Sequence, residues 1–179
     1  MKRIFSFLLA LLMVCNFAVP AMAVEVPTEA NTFYLDVDKT SVQVGETVTL
    51  SVYSNTEMTN MMSNSVLIDY DETVFQLDLE NSSVTGNVRR WGIIDNTHED
   101  VGKYTGTSMF DNDSEVTIPN GLLATIQFTA LAAVDNTSFE IFLTDASWYD
   151  WDTNTKNNID VKYADPIAMT VTAAREEEP

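Results

Sequence analysis

The sequence has little of the raw material that most catalytic and metal sites need. Among 179 residues it has one cysteine, Cys15, and one histidine, His98. A single cysteine excludes an intrachain disulfide framework, and a single histidine leaves little basis for a histidine-rich zinc site or a Ser-His-Asp triad. Basic residues are also scarce, with 9 Lys and Arg against 27 Asp and Glu. The formal net charge of -18 argues against nucleic acids and anionic membrane surfaces as partners, because both are polyanions.

The chain does contain enough apolar material for a packed core, together with an N-terminus of the kind that directs export. Hydrophobic residues make up 45% of the sequence, too many for wholesale disorder. Lys2 and Arg3 precede the apolar run 4–14, and the sequence Ala-Met-Ala ends at residue 23. This order predicts a secretory signal peptide over residues 1–23, since the run is too short for a membrane-spanning helix. We therefore expect a secreted, extracellular protein that has no membrane span and no cysteine after cleavage.

The remaining chain has the pattern of a single all-β domain. Residues 24–32 are polar, and we interpret them as a flexible lead. From residue 33 onward, apolar and polar residues alternate, which is the period of a half-buried strand. Strand-like segments lie at 33–37, 42–44, 48–52, 66–70, 75–79, 88–94, 103–110, 122–130, 139–143 and 167–171. They predict an all-β fold of about nine strands, a β-sandwich of two packed sheets over residues 33–173, followed by a polar tail at 174–179.

Four motifs, in this order, resemble the cohesin family, the nine-stranded, jelly-roll-like sandwich modules of bacterial cellulosome scaffolds. VQVGETVTL at 42–50 resembles the family's first turn and second strand, and Tyr70-Asp71 resembles its YDP turn. NGLLATIQF at 120–128 resembles the strand motif DGxxAxIxF, and DPIAMTV at 165–171 resembles the closing strand DGxIxV. The resemblance implies a non-catalytic module that docks a dockerin-type protein partner in extracellular polysaccharide degradation.

The resemblance also implies which face of the sandwich docks the partner. Family members bind a dockerin across the sheet made of their strands 8, 3, 6 and 5. Many of them carry an Asn-x-Asp pair at the start of strand 3, facing the dockerin. Counting back from Tyr70-Asp71 places Ser63 and Ser65 at those two positions in this chain.

Strand alternation makes an independent prediction about the same face. If Val66 and Ile68 point into the core, the intervening positions on that strand point outward. By the same count Phe142 points outward on strand 8, beside Leu67. Two outward apolar residues on adjacent strands indicate a binding patch, and the alternative is that a loop covers them or that they are scattered surface residues. The predicted partner-binding residues are Ser63, Ser65, Leu67, Asp69 and Phe142.

A second aromatic-rich segment supports a different hypothesis, that of a carbohydrate-binding module. Trp148, Tyr149 and Trp151 lie close together among aspartates. Aromatic rings stack on sugar faces, and neighbouring carboxylates can accept hydrogen bonds from hydroxyl groups. The alternative interpretation is that these rings are structural packing, with one side of the strand in the core.

No cofactor is expected, and calcium is the one ion that the sequence leaves open. Asp111, Asp113 and Glu115 supply oxygen ligands at i, i+2 and i+4, as do the residues of the acidic loop 150–154. Neither loop has Gly at its sixth position or Glu at its twelfth, so neither is an EF-hand. No spacing singles out a catalytic pair of carboxylates. We therefore expect a monomeric binding protein that is not an enzyme.

Overall fold

The computed structural model of the chain describes residues 25–85, 92–95, 102–109, 116–150 and 152–175. Within these ranges all regular structure is β-strand, and no helix occurs that is long and apolar enough to cross a membrane. The strands are β1 Thr32–Val37, β2 Ser41–Gln43, β3 Thr47–Ser54, β4 Met58–Tyr70, β5 Phe75–Val84, β6 Gly92–Asp95, β7 Gly102–Met109, β8 Val116–Ile118, β9 Gly121–Ala130, β10 Val134–Asp150, β11 Thr155–Asn158, β12 Lys162–Tyr163 and β13 Ile167–Thr172. The predicted signal peptide 1–23 lies outside the described residues.

The strands form two sheets, which confirms the predicted β-sandwich. One sheet has five strands in the order β12-β1-β3-β9-β5. The other has eight strands, in the order β2-β13-β10-β4-β7-β6, with β11 beside β10 and β8 beside β4. Its central pair, β10 and β4, is antiparallel and long. We call the solvent side of this larger sheet the outer face of the eight-stranded sheet.

The hydrophobic core lies between the sheets and is built from the alternating apolar positions. Ile68 and Phe139 of the larger sheet and Leu50 and Ile126 of the smaller one are fully buried. Four rings link the two sheets at one end, and we call them the aromatic cluster: Tyr70, Phe75, Phe128 and Phe139. The Phe128 ring lies 4.8 Å from that of Tyr70 and 4.9 Å from that of Phe139, between centroids. Aromatic pairs at these separations add to the stability that their buried area provides.

The described residues contain more strands than the nine predicted, and three of them, β4, β5 and β10, are at least five residues longer than predicted. Strands β11 and β12 contain mostly polar residues, so they have no apolar alternation that the sequence could reveal. The start of β4 was missed because a bulge interrupts its period. Met58 pairs with Ile118 and Met61 with Val116, so β4 carries one extra residue there. Both methionines are consequently buried although they are three positions apart.

The segment before β1 is attached to the sandwich through its backbone carbonyls. The Asn55 side-chain amide donates hydrogen bonds to the carbonyl oxygens of Pro27, at 2.8 Å, and Glu29, at 2.5 Å. Lys162 Nζ lies 2.9 Å from Glu29 Oε1, and this carboxylate raises the pKa of Lys162 above its ordinary value. These contacts fix the position of residues 27–31 beside β3 and β12.

One carboxylate in β5 gives the fold a pH dependence that can be measured. Asp78 accepts hydrogen bonds from the Asn81 side-chain amide at 2.8 Å and from its backbone N–H at 3.2 Å. Both bonds favour the charged form, so the pKa of Asp78 lies below its ordinary value of 3.8. Because the folded state holds fewer protons here than the unfolded state, this contribution to stability is present above the ordinary pKa and is lost as the pH falls through the folded pKa.

We expect Asp78→Asn to lower the melting temperature by a few degrees at neutral pH and by progressively less as the pH falls below about 4. Thermal melts at several pH values measure the difference between the variant and the parent chain. Asp135→Asn, at an exposed position in β10, is the matched control. A difference between Asp78→Asn and the parent that is the same at pH 7 and at about pH 2 would contradict the assignment.

Candidate partner-binding face

The strand order brings the predicted partner-binding residues to one sheet. Strand β4 lies between β10 and β7, and β6 follows β7, so the order β10-β4-β7-β6 is continuous. Leu67 of β4 lies directly opposite Phe142 of β10 in the register. Ser65 lies opposite Asp145, and Ser63 opposite Ser147. The backbone therefore places all five predicted positions, 63, 65, 67, 69 and 142, on two neighbouring strands.

Burial along β4 shows which side of the strand Leu67 occupies. Val66 and Ile68 are fully buried, and Tyr70 is 4% exposed. Leu67 and Asp69 alternate with them and are only half-buried. Since successive side chains of a strand point to opposite faces, Leu67 and Asp69 belong to the outer face of the eight-stranded sheet. On β10, Phe139 and Ile141 are buried and Glu140 between them is exposed.

An acidic groove continues this face next to the position of Leu67. Asp69 and Glu140 lie directly opposite each other on β4 and β10. Together with Asp71 and Glu72 they line an open groove of about 750 Å³. The rest of its lining is Tyr70, Thr73, Asn136, Thr137, Ser138, Pro166 and Ala168. Asp69 Oδ1 is shielded from solvent and accepts no hydrogen bond from any group that the structure describes. Like charges directly opposite each other on a sheet repel, so the Asp69–Glu140 pair favours a positively charged group, and on its other side Asp69 lies opposite Lys103 of β7 in the register.

The turn that closes the acidic groove is built by its own aspartate. Asp71 Oδ1 accepts hydrogen bonds from the Thr73 backbone N–H at 2.9 Å and from the Thr73 hydroxyl at 2.6 Å. The Asp71 carbonyl accepts hydrogen bonds from the N–H groups of Val74 and Phe75. Asp71 is thus used to hold the turn, and this leaves Asp69, Glu72 and Glu140 as the groove's available carboxylates.

The structure describes only part of the aromatic site that was predicted to bind carbohydrate. Trp148 is half-buried and lines an open groove of about 490 Å³ at the far end of β4. Tyr149 is placed by its backbone pairing with Lys156, and Trp151 lies outside the described residues. The other residues of the Trp148 groove are Asn31, Glu57, Met58, Thr59, Asn60, Ile159 and Asp160.

Of the two acidic loops that were candidates for calcium binding, the structure describes one only in part and the other not at all. Asp111, Asp113 and Glu115 lie outside the described residues. In the loop 150–154, Asp150 Oδ1 accepts the backbone N–H of Asp152 at 3.0 Å and that of Thr153 at 3.3 Å. A hydrogen bond from the Thr153 side chain, supported by these backbone bonds, lowers the pKa of Asp150. Over the residues that the structure describes, no group of three or more acidic, histidine or cysteine side chains converges to hold a metal ion.

Reasoning from the sequence missed Glu140 and the polar residues around Trp148. Glu140 becomes a candidate only through the register of β10 and β4, which sets it opposite Asp69. The two residues are 71 positions apart in the sequence. Asn60 lies in the β4 bulge, and the sequence contains no alternation that marks it. A signal that could have found Glu140 is its position two residues before Phe142, because residues i and i+2 share a face of a strand.

Comparison with known proteins agrees with this architecture. The cohesin domain family model matches residues 33–172. A search of curated proteins found no match. The seventh ScaB type I cohesin of Pseudobacteroides cellulosolvens has a TM-score of 0.59 at 18% identity, over 82% of this chain and 96% of that one. The third ScaC cohesin of Acetivibrio cellulolyticus, solved in complex with the ScaB dockerin, has a TM-score of 0.58 at 16% identity, over 79% and 99%.

A cohesin module from a Clostridium perfringens family 33 glycoside hydrolase is also similar, with a TM-score of 0.55 at 14% identity over 82% of this chain and all of that one. At such identities the solved structures show a shared fold. The family model adds a match of the sequence itself over most of its length, from the first residues of β1 to the end of β13. The chain therefore belongs to the cohesin domain family.

Proposed function

We propose that this chain is a secreted, non-catalytic module that docks a dockerin-type protein through the outer face of its eight-stranded sheet. The observation that carries the proposal is the register that sets Leu67 opposite Phe142 on this sheet. The family resemblance implies docking through the same strands, and the similar Acetivibrio cellulolyticus cohesin was solved with a dockerin bound. We also propose that the chain acts outside the cell, in polysaccharide degradation, and that it is a monomer before it docks.

The face suits docking because it is preformed. Strands β10, β4 and β7 are hydrogen-bonded along the residues concerned, so little backbone freedom is lost when a partner binds. Covering the exposed part of Leu67 contributes about 1 kcal/mol, and an apolar partner for Phe142 adds a similar amount. In the proposal, Ser63, Ser65 and Asp69 set specificity, since a partner must satisfy their polar groups when it removes water.

The acidic groove adds a requirement for the partner, which we propose presents a Lys or Arg side chain beside its apolar contact. Asp69 and Glu140 would then accept charge-assisted hydrogen bonds, which neither makes with a side chain that the structure describes. The shielded Asp69 Oδ1 supports this assignment, because a buried carboxylate oxygen gains most from a cationic donor.

Direct binding to purified dockerins tests the function. The full secreted chain is titrated by calorimetry against a panel of dockerins from the same organism. We expect at least one to bind with one-to-one stoichiometry and an affinity in the micromolar range or tighter. If the folded chain binds no member of the panel, the dockerin-docking proposal is wrong.

The charge requirement makes a separate prediction about salt. We expect Glu140→Gln to weaken dockerin binding by about threefold at low ionic strength and to flatten its dependence on salt, because a charge near the contact steers association. Glu80→Gln on β5, at an exposed position of the other sheet, is the control and should leave both quantities unchanged. Equal salt dependence for Glu140→Gln and the parent chain would show that the groove receives no cationic group.

A further inference from the structure

We infer that the groove beside Trp148 is a second binding site, one that takes a neutral sugar chain. This inference goes beyond partner docking, because the Trp148 groove and the docking face lie apart along β4. Thr59 lines the groove, and Leu67 follows it by eight residues, or about 26 Å of extended strand. A ligand in the groove therefore leaves the Leu67 position free for a protein partner.

The groove owes its shape to two asparagines in the left-handed backbone region. Asn60 has a φ of 56° and occupies the β4 bulge, where the extra residue redirects the chain. Asn31 has a φ of 59° and lies immediately before β1. Asparagine tolerates this region better than most residues, although glycine adopts it at no steric cost. Both asparagines line the groove, together with Trp148.

The two asparagine amides remain available for a ligand. The Asn55 amide, by contrast, donates hydrogen bonds to the carbonyl oxygens of Pro27 and Glu29. For the side chains of Asn31 and Asn60, no hydrogen bond occurs with any described part of the chain. Each amide offers two donors and an acceptor, a combination that matches adjacent hydroxyl groups of a sugar.

Trp148 supplies the apolar half of the recognition. Trp148 is half-buried, and Ile159 is another apolar residue in the lining of the groove. An indole presents a large flat apolar surface, on which the C–H face of a pyranose ring packs. A few convergent polar groups around one aromatic surface, in an open groove of about 490 Å³, are the composition of a site for a small polar ligand.

The charges of the groove select the class of sugar. Glu57 and Asp160 are exposed carboxylates in its lining, and both can accept hydrogen bonds from hydroxyl groups. The nearby cation Lys162 is paired with Glu29, at 2.9 Å, and does not line the groove. Asp160 also interacts electrostatically with Lys162, but the lining itself holds two carboxylates and no cation. An acidic sugar would therefore meet a net negative charge, so a neutral hexopyranose or pentopyranose chain is the ligand that fits.

Calorimetric titration of the full chain with cellohexaose, xylohexaose, mannohexaose and hexagalacturonate tests the inference. We expect at least one neutral hexasaccharide to bind, and hexagalacturonate to bind at least tenfold more weakly or not at all. Trp148→Ala should reduce neutral-sugar binding at least tenfold, whereas Trp148→Phe should retain most of it. Asn60→Gly is the sharper variant, because it keeps the backbone of the bulge and removes only the amide; we expect a loss of at least threefold with no change in melting temperature.

Three results would overturn the inference. The first is the absence of binding to every neutral hexasaccharide at about 10 mM by a folded chain. The second is a preference for hexagalacturonate, and the third is binding by Trp148→Ala equal to that of the parent. Leu67→Asp is the matched control: it should bind the sugar normally, so that a failure of dockerin docking and a failure of sugar binding remain distinguishable.

Discussion

Leu67→Asp is expected to weaken dockerin binding by at least about thirtyfold, the largest effect on binding that the structure predicts for one substitution. Leu67 is half-buried on the outer face of the eight-stranded sheet and lies opposite Phe142. An aspartate there would be covered by the apolar part of the partner that is proposed to contact Leu67 and Phe142. A charge that is buried against apolar groups is costly to desolvate. The same reasoning predicts a comparable loss for Phe142→Asp. Surface plasmon resonance with an immobilised dockerin measures both.

The opposite sheet provides a matched control for this substitution. Leu122 of β9 is 38% exposed and belongs to the five-stranded sheet. Leu122→Asp introduces the same charge into the same kind of strand, and we expect it to leave dockerin affinity within about twofold. If Leu122→Asp abolished binding while Leu67→Asp did not, the docking surface would be the five-stranded sheet.

The alternation of apolar residues was sufficient to predict the part of the fold that positions Leu67. Val66, Ile68, Phe139 and Ile141 are buried as the period-2 pattern requires. Alternation says which side of a strand a residue occupies, but not which strand lies beside it. The neighbour relation between positions 67 and 142 came from the strand order that the family resemblance implies, and the register of β4 and β10 agrees with it.

Features that depend on irregular pairing could not be predicted in this way. The bulge at the start of β4 shifts the period by one residue, so Asn60 has no pattern that separates it from a turn residue. The pairing of Asp69 with Glu140 depends on a contact between distant parts of the chain. Residues such as Asn31 and Asp160 reach the Trp148 groove through connections between strands, where side-chain positions follow from tertiary structure.

Phe128→Ala is expected to cost about 3–5 kcal/mol of unfolding free energy, which is a large share of the stability of a typical domain. Phe128 is fully buried, and its ring contacts those of Tyr70 and Phe139 across the two sheets. The substitution removes apolar surface from the core and leaves a cavity that two rigid sheets can close only in part. Urea unfolding, monitored by circular dichroism, measures the loss as a shift of the midpoint at constant slope.

Two further variants separate packing from aromatic contact. Phe128→Leu fills most of the space and should cost about half as much as Phe128→Ala, while it removes the ring-to-ring contacts. Leu122→Ala, at a partly exposed position of the same strand, should cost less than about 1 kcal/mol. A cost for Phe128→Ala no greater than that for Leu122→Ala would mean that the aromatic cluster does not join the sheets. The proposed docking face is the reverse side of the strand that carries Tyr70. We therefore expect dockerin binding by Phe128→Ala to weaken in proportion to its unfolded fraction.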